Sequence, residues 1–168
     1  LDEANLEETI KLLLANGGVV GIIVNTVSRA QNIFERLAQL FGNDVKLLHS
    51  KFIDTDRASK EKHLMEDIGK GARRPPRGII IGTQVLEQSL DIDFDVLITD
   101  LCPMDLLLQR VGRLHRHDIS RPERLSQPLL YIMGETETLE FEQGSAAIYG
   151  DYLLARTQSL LPKGEIFI

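Results

Sequence analysis

Val19-Val20-Gly21-Ile22-Ile23-Val24 is the stretch that decides the fold. Five of its six residues are apolar and branched at Cβ, and no polar residue alternates with them. A strand with one wet face alternates polar and apolar positions, whereas a strand covered on both faces does not. The run therefore predicts a strand in the middle of a sheet with both faces buried. Before it, Leu6, Ile10, Leu13 and Leu14 recur at helical spacing across residues 3–15, and Asn16-Gly17-Gly18 ends that helix. After it, Ser28 can cap a helix with Ile33, Leu37, Leu40 and Phe41 on its apolar face. Outward from there the chain reads as a strand at 45–48, a helix from Asp54 or Thr55 to about Ile68, and a Gly/Pro/Arg loop at 69–76. Strands at 78–82 and 96–99, a helix at 104–115, a strand at 129–133 and a closing helix at 146–161 follow. Strands that alternate with helices of about 10–15 residues make βαβ units, hence a parallel sheet with helices on both faces and right-handed crossovers. Functional groups in such a sheet belong beyond the carboxyl ends of the strands. Asn25-Thr26, His49-Ser50 and Gly82-Thr83 each follow a strand, so all three are expected on one rim. Each also suits an ordinary helix cap.

The 168 residues make about one domain, and 43% apolar with 26% charged is the composition of a soluble globular chain. Cys102 is the single cysteine, so no disulfide forms within the chain, which fits a reducing cytoplasm. Between Leu101 and Pro103 it reads as a small buried apolar residue. No apolar run approaches the roughly 18 residues of a membrane span, and no signal peptide opens the chain. A first residue of Leu rather than Met fits a piece of something longer. The net charge of −6 argues against a nucleic-acid partner, since phosphates are neutralised by lysine and arginine. Placement along the chain weakens that objection. Acids gather at the start (Asp2, Glu3, Glu7, Glu8) and late in the chain (Glu135, Glu137, Glu140, Glu142, Asp151). Bases gather at Arg57, Lys60, Lys62, Lys70, Arg73, Arg74 and Arg77, and again at Arg110, Arg113, Arg116, Arg121 and Arg124. Local field follows placement as well as the sum, although solvated helix faces give the same pattern.

Two stretches carry chemistry. In residues 109–116, a continuous helix puts Gln109, Arg113 and Arg116 on one face and Leu107, Val111 and Leu114 on the other. Gly112 within that helix costs about 1 kcal/mol relative to alanine, which a close approach by a ligand or backbone would justify. Guanidinium forks bind phosphate oxygens bidentately and stay charged, the property used by arginine fingers in phosphoryl transfer. A solvated basic face is the equal alternative. In residues 82–91, Thr83 opens a short helix whose free amides favour a backbone phosphate, and the Asp91 carboxylate could accept a sugar hydroxyl. Asp91 can equally be a surface acid in the turn Asp91-Ile92-Asp93-Phe94-Asp95. That run does not fit a calcium loop, because Val96 stands where glycine is required and Cys102 where the closing glutamate belongs. No G-x-x-x-x-G-K-[ST] loop occurs, so nothing cradles α/β-phosphates or Mg²⁺. Asp2-Glu3 follows no buried strand, and His117-Asp118 lacks spaced metal partners. His49 and His63 read as solvated or facing nucleic acid, and no metal is expected.

Together the order Asn25-Thr26, Leu48-His49-Ser50, Gly82 through Asp91, then Gln109 through Arg116 resembles the second RecA-like domain of superfamily-two helicases, whose last motif reads Q/H-R-x-G-R-x-G/H-R. LLHSKF at 47–52 and GTQVLEQSLDIDFDVLITDLCPMDLLLQRVGRLHRH at 82–117 are similar to the helicase–nuclease of type I CRISPR systems, over roughly residues 18–133. The resemblance implies a three-layer α/β/α RecA-like domain with a mainly parallel sheet at 1–135. Residues 136–168 would be an acidic connector and closing helix, packed on the domain or leading to a further C-terminal domain. It implies that Arg113 and Arg116 reach the γ-phosphate of ATP with Gln109 alongside, and that Asp91 lies at the nucleotide. Thr83 and Gln84 would contact a single DNA strand, with Thr26, His49 and Ser50 as further positions on its track. His115 stands where many relatives have glycine. The implied partners are the first RecA-like domain of the same full-length chain, holding most of ATP and Mg²⁺, then single-stranded DNA, and the CRISPR surveillance (Cascade) complex. Translocation from 3′ to 5′ by the full protein, and no ATPase by this piece alone, follow from the same resemblance. A helicase acting on RNA or in DNA restriction and repair, and a binding module without motor function, are the competing readings.

Overall fold

The computed structural model describes residues 1–52, 54–87 and 90–161. Five strands form one sheet: β1 (Gly18–Ile23), β2 (Val45–Leu48), β3 (Arg77–Gly82), β4 (Val96–Asp100) and β5 (Leu129–Met133). Their spatial order is β2-β3-β1-β4-β5, and every pairing is parallel. The six residues of β1 are all buried, as expected for the central strand of a sheet covered on both faces. Six α-helices connect or flank the strands: α1 (Leu6–Leu13), α2 (Val27–Phe41), α3 (Asp54–Ile68), α4 (Met104–Val111), α5 (Gln143–Tyr149) and α6 (Asp151–Leu160). None of them is long and apolar enough to cross a membrane.

The period of two along each strand sorts the core into two layers. Val20, Ile22, Ile79, Ile81, Val96 and Ile98 point to one face, where Leu6 and Ile10 of α1 and Ile33 and Leu37 of α2 cover them. Val19, Ile23, Ile80 and Leu97 point to the other, under Leu64 and Ile68 of α3 and under Phe94 and Leu114. This is the α/β/α sandwich. Gly21 is required by packing: a Cβ there would lie 2.5 Å from the Phe94 ring, so the aromatic sits directly on the central strand.

The register lines up the carboxyl ends. Ile23 and Leu48 both face Gly82, which puts Asn25-Thr26, His49-Ser50 and Thr83-Gln84 on one rim, as the strand pattern predicts. Several boundaries differ. Residues 3–5 form a short 3₁₀ turn before α1. Thr26, not Ser28, caps α2, its side chain accepting from the Arg29 amide at 3.2 Å. Leu40 on the expected apolar face of α2 is half exposed. The closing helix is two helices, because Gly150 with φ of 77° breaks the ladder between α5 and α6. The helix expected over 104–115 ends at Val111. Gly112 closes it, and the next residues pair instead with Phe94: the Phe94 amide donates to Arg113 O at 2.8 Å and the His115 amide to Phe94 O at 3.0 Å.

Gly21→Ala should destabilise the chain by about 1–3 kcal/mol through overpacking against Phe94. Urea unfolding measures it, and Phe94→Leu in the same chain should return part of the loss.

Candidate functional site

The rim and the basic segment after α4 meet at one buried side chain, Arg110. Leu107, Arg110 and Leu114 are the buried positions of this stretch, so Arg110 sits on the apolar stripe and not on the presented basic face. Its guanidinium is fully buried and fully engaged. Nε donates to Glu87 Oε2 at 2.7 Å, Nη1 to Thr99 Oγ1 at 2.8 Å and to the Asp100 carbonyl at 3.2 Å, and Nη2 to Asn25 Oδ1 at 3.0 Å. Glu87 is buried as well, and its Oε1 has no partner. Asn25 in turn donates to Leu101 O and to Ser145 Oγ of α5, both at 2.9 Å. Asn25, Glu87 and Arg110 thus tie together the ends of β1 and β4, the turn after β3, and α4. The further hydrogen bonds of Arg110 offset the desolvation that a buried ion pair costs.

Two further networks engage the charges. Asp93 and Asp95 are buried, not surface-turn acids. Arg74 pairs with Asp93 at 2.9 Å and Asp95 at 3.0 Å, and Arg121 pairs with Asp93 at 2.8 Å and also with Asp95. Asp95 Oδ2 accepts the Val19 amide at 2.7 Å, so the cluster also anchors the start of β1. On the rim, Asp100 accepts from the Asn25 amide and from Arg29 at 3.0 Å each. Burial raises the Asp100 carboxyl, against the pull of Arg29.

The basic segment then passes to the nucleotide candidates. Gly112 has ended α4 before Arg113, so Gln109, Arg113 and Arg116 do not share a helical face. Gln109 is exposed on α4, and its side chain bonds to none of the described residues. Arg113 is half-buried: Nη2 donates to the Glu87 carbonyl at 3.0 Å, while Nε is buried without a partner. Burial, then the neighbouring Arg116, lower its pKa. Its charge is the least neutralised among the buried and half-buried arginines. His115 follows at φ of 48°, a conformation that suits glycine, with its ring against the Asp95 carbonyl at 3.2 Å. That left-handed corner turns Arg116 onto Asp91, with Nε 2.6 Å from Oδ1, and brings His117 Nε2 to 3.0 Å from the same oxygen. Arg116 and His117 hold the Asp91 carboxyl below the usual range.

The strand candidates differ in burial along the rim. Thr83 is 1% exposed with an unpartnered hydroxyl. Gln84 donates to the Asn25 carbonyl at 3.2 Å and to the Tyr149 hydroxyl of α5 at 3.0 Å. Thr26 is occupied as the cap of α2, and a Cβ on Gly144 would meet its methyl at 2.8 Å, so α5 lies over this part of the rim. His49 is buried, not solvated, and stacks on Phe52 at 4.1 Å with Lys60 above that ring. Ser50 is exposed, as is His63. Among the described residues no group of three His, Cys, Asp or Glu is placed to hold a metal ion. Cys102 is buried, and burial pushes its thiol up to about 12.

A family of known proteins matches this chain. The family described as CRISPR-associated nuclease/helicase Cas3, C-terminal, matches residues 16–119. The chain belongs to that family. It is 59% identical over 163 residues to the CRISPR-associated nuclease/helicase Cas3 of Streptococcus thermophilus, covering 96% of this chain and 18% of the relative. The solved structure of T. fusca Cas3-ATP superposes with a TM-score of 0.86 at 36% identity, covering 94% of this chain and 19% of that one. A chain of a CRISPR RNA-guided surveillance complex in its pre-nicking state gives 0.81 at 34% identity, covering 94% and 20%. The chain therefore spans about a fifth of the length of these relatives.

Arg110→Met should leave Glu87 as a buried unpaired charge and cost about 3–5 kcal/mol, with Glu87→Met in the same chain recovering much of it. Chemical denaturation of the two single variants and the double variant measures this. Acid should weaken the fold through His49 and His115. Burial lowers both, with Lys51 and Lys60 adding at His49 and Arg121 at His115. A folded pKa below the unfolded value means the unfolded chain binds more protons in between. The stability these groups contribute is therefore complete above about pH 6.5 and is lost as the pH falls through that value. The urea midpoint should hold above about pH 6.5 and drop as the pH falls from there toward the lower folded values, and His115→Gln should flatten the drop.

Proposed function

We propose that this chain is the second motor domain of an ATP-dependent single-stranded DNA translocase acting in CRISPR interference. The observation that carries the reading is Arg113. Arg29, Arg36, Arg57, Arg74, Arg110 and Arg121 are each paired with a carboxylate. Among the described residues Arg113 is the one arginine sheltered from water that has no acidic partner. A half-buried cation left unneutralised suits an anion that arrives from outside, and a guanidinium fork suits phosphate oxygens.

In this reading Arg113 and Arg116 face the γ-phosphate of an ATP held mainly by a companion domain, with Gln109 beside them and Asp91 at the sugar. Arg116 leaves Asp91 to do so, a short exchange of one oxyanion for another. Mg²⁺ belongs with the companion domain, and no step of this chain runs through it. The single strand passes the rim at Thr83 and Gln84, with Thr26, His49 and Ser50 further along. The network from Asn25 through Arg110 and Glu87 links that rim to the fingers, so closure of the cleft and grip on the strand move together. The likeness to a chain of a surveillance complex supports delivery of the full-length protein by that complex. Alone, this chain has half of a composite ATP site and does not hydrolyse ATP.

The test is Arg113→Ala and Arg116→Ala in the full-length protein, with ATPase measured on single-stranded DNA. Each should fall about a thousandfold, the low end for an arginine finger, while strand affinity without nucleotide stays unchanged. Undiminished turnover in both variants would sink the finger roles, and robust hydrolysis by this chain alone would sink the composite site.

A further inference from the structure

Asp91 receives two donors on a single oxygen. Oδ1 accepts from Arg116 Nε at 2.6 Å and from His117 Nε2 at 3.0 Å, and Oδ2 accepts from none of the described residues. The two donors are held with unequal firmness. The Arg116 side chain is 40% exposed, and its other contact is the Gly112 carbonyl at 3.1 Å. The His117 side chain is 12% exposed and its backbone is pinned. Its carbonyl accepts Arg121 Nη2 at 2.9 Å, and the adjoining Arg116 amide donates to Asp93 Oδ1 at 2.7 Å. Arg121 and Asp93 belong to the buried charge cluster below the segment, so His117 is fastened to the core while the Arg116 guanidinium is free to swing.

We infer that His117 is a positioning residue for Asp91. When Arg116 swings to a phosphate, Asp91 loses one donor and keeps the other. The Nε2–H of His117 then holds Oδ1 in place, and Oδ2 stays turned outward to accept a sugar hydroxyl of the nucleotide. A neutral imidazole protonated on Nε2 suffices. With Arg116 and His117 sharing Oδ1, release of the finger also leaves no bare carboxylate behind. The inference rests on the reading of Asp91 as a nucleotide contact.

The experiment uses the full-length protein with single-stranded DNA. Steady-state ATPase is measured with ATP, 2′-deoxy-ATP and 3′-deoxy-ATP. His117→Ala should raise the KM for ATP roughly tenfold, the scale of one charge-assisted hydrogen bond, with kcat within about twofold. It should also erase most of the preference for ATP over the deoxy analogue that lacks the contacted hydroxyl. His117→Gln, whose side-chain amide can offer a donor at the same place, should restore both. Asp91→Ala should abolish the preference outright. If Asp91→Ala abolishes it and His117→Ala keeps it, the role of His117 falls and that of Asp91 stands. If Asp91→Ala leaves the preference and KM unchanged, the nucleotide reading of Asp91 falls and takes this inference with it. A parallel loss of kcat, KM and thermal stability in His117→Ala that glutamine does not repair would make the residue structural, which also overturns the proposal.

Discussion

A charge with no route to water constrains most of this molecule. Arg110 is fully buried between the sheet and the turn after β3, and all three of its nitrogens donate to fixed oxygens. Because an isolated buried cation is prohibitively costly, each acceptor must stay where it is: Glu87, Thr99, Asn25 and the end of β4. Those acceptors begin or border three of the segments that carry candidate functional residues. The rim residues beside Asn25, the turn from Thr83 to Glu87, and the segment from Arg113 to His117 are thereby held in a common frame. Hydrophobic packing builds the sandwich, but it is non-directional and would tolerate small slippage. The hydrogen bonds of Arg110 set the angles.

The apolar elements were legible in the sequence because burial on both faces leaves a simple mark. The unbroken run around Val20–Val24 reads as a central strand, and the small polar residues after three strands fall on one rim because parallel register is hard to shift without exposing a face. Charged residues were harder. Residue type alone does not separate an arginine that faces solvent from one that plugs a core, and the segment 110–121 holds both kinds. A signal did exist: Arg110 lies three after Leu107 and four before Leu114, on the same stripe as these leucines. Helical periodicity overran its true end at Val111, since the pairing of Arg113–His115 with Phe94 is a long-range contact that local pattern does not contain.

The same sorting reinterprets the basic patches. Arg74, Arg110 and Arg121 pair with buried carboxylates and serve as internal mortar, while Arg77 and Arg116 meet carboxylates at the surface. The buried acids Asp93 and Asp95 receive Arg74 and Arg121, and Asp95 also fixes the Val19 amide near the start of the central strand. At the nucleotide candidates, what remains for a partner is small and specific: Arg113 with an unpaired nitrogen, Arg116 on a releasable tether, and an open oxygen on Asp91. Net charge is a poor guide here because folding pairs many of the arginines with carboxylates.

His115 places a different kind of demand on the chain. At φ of 48° the backbone asks for a handedness more than for any side-chain chemistry. Glycine meets that demand freely, and asparagine or aspartate at modest cost, while valine, isoleucine and threonine are turned away by their branched Cβ. Substitution at this corner is thus filtered by stereochemistry before electrostatics is consulted. The direction in which Arg116 leaves the chain is inherited from a single torsion angle one residue earlier.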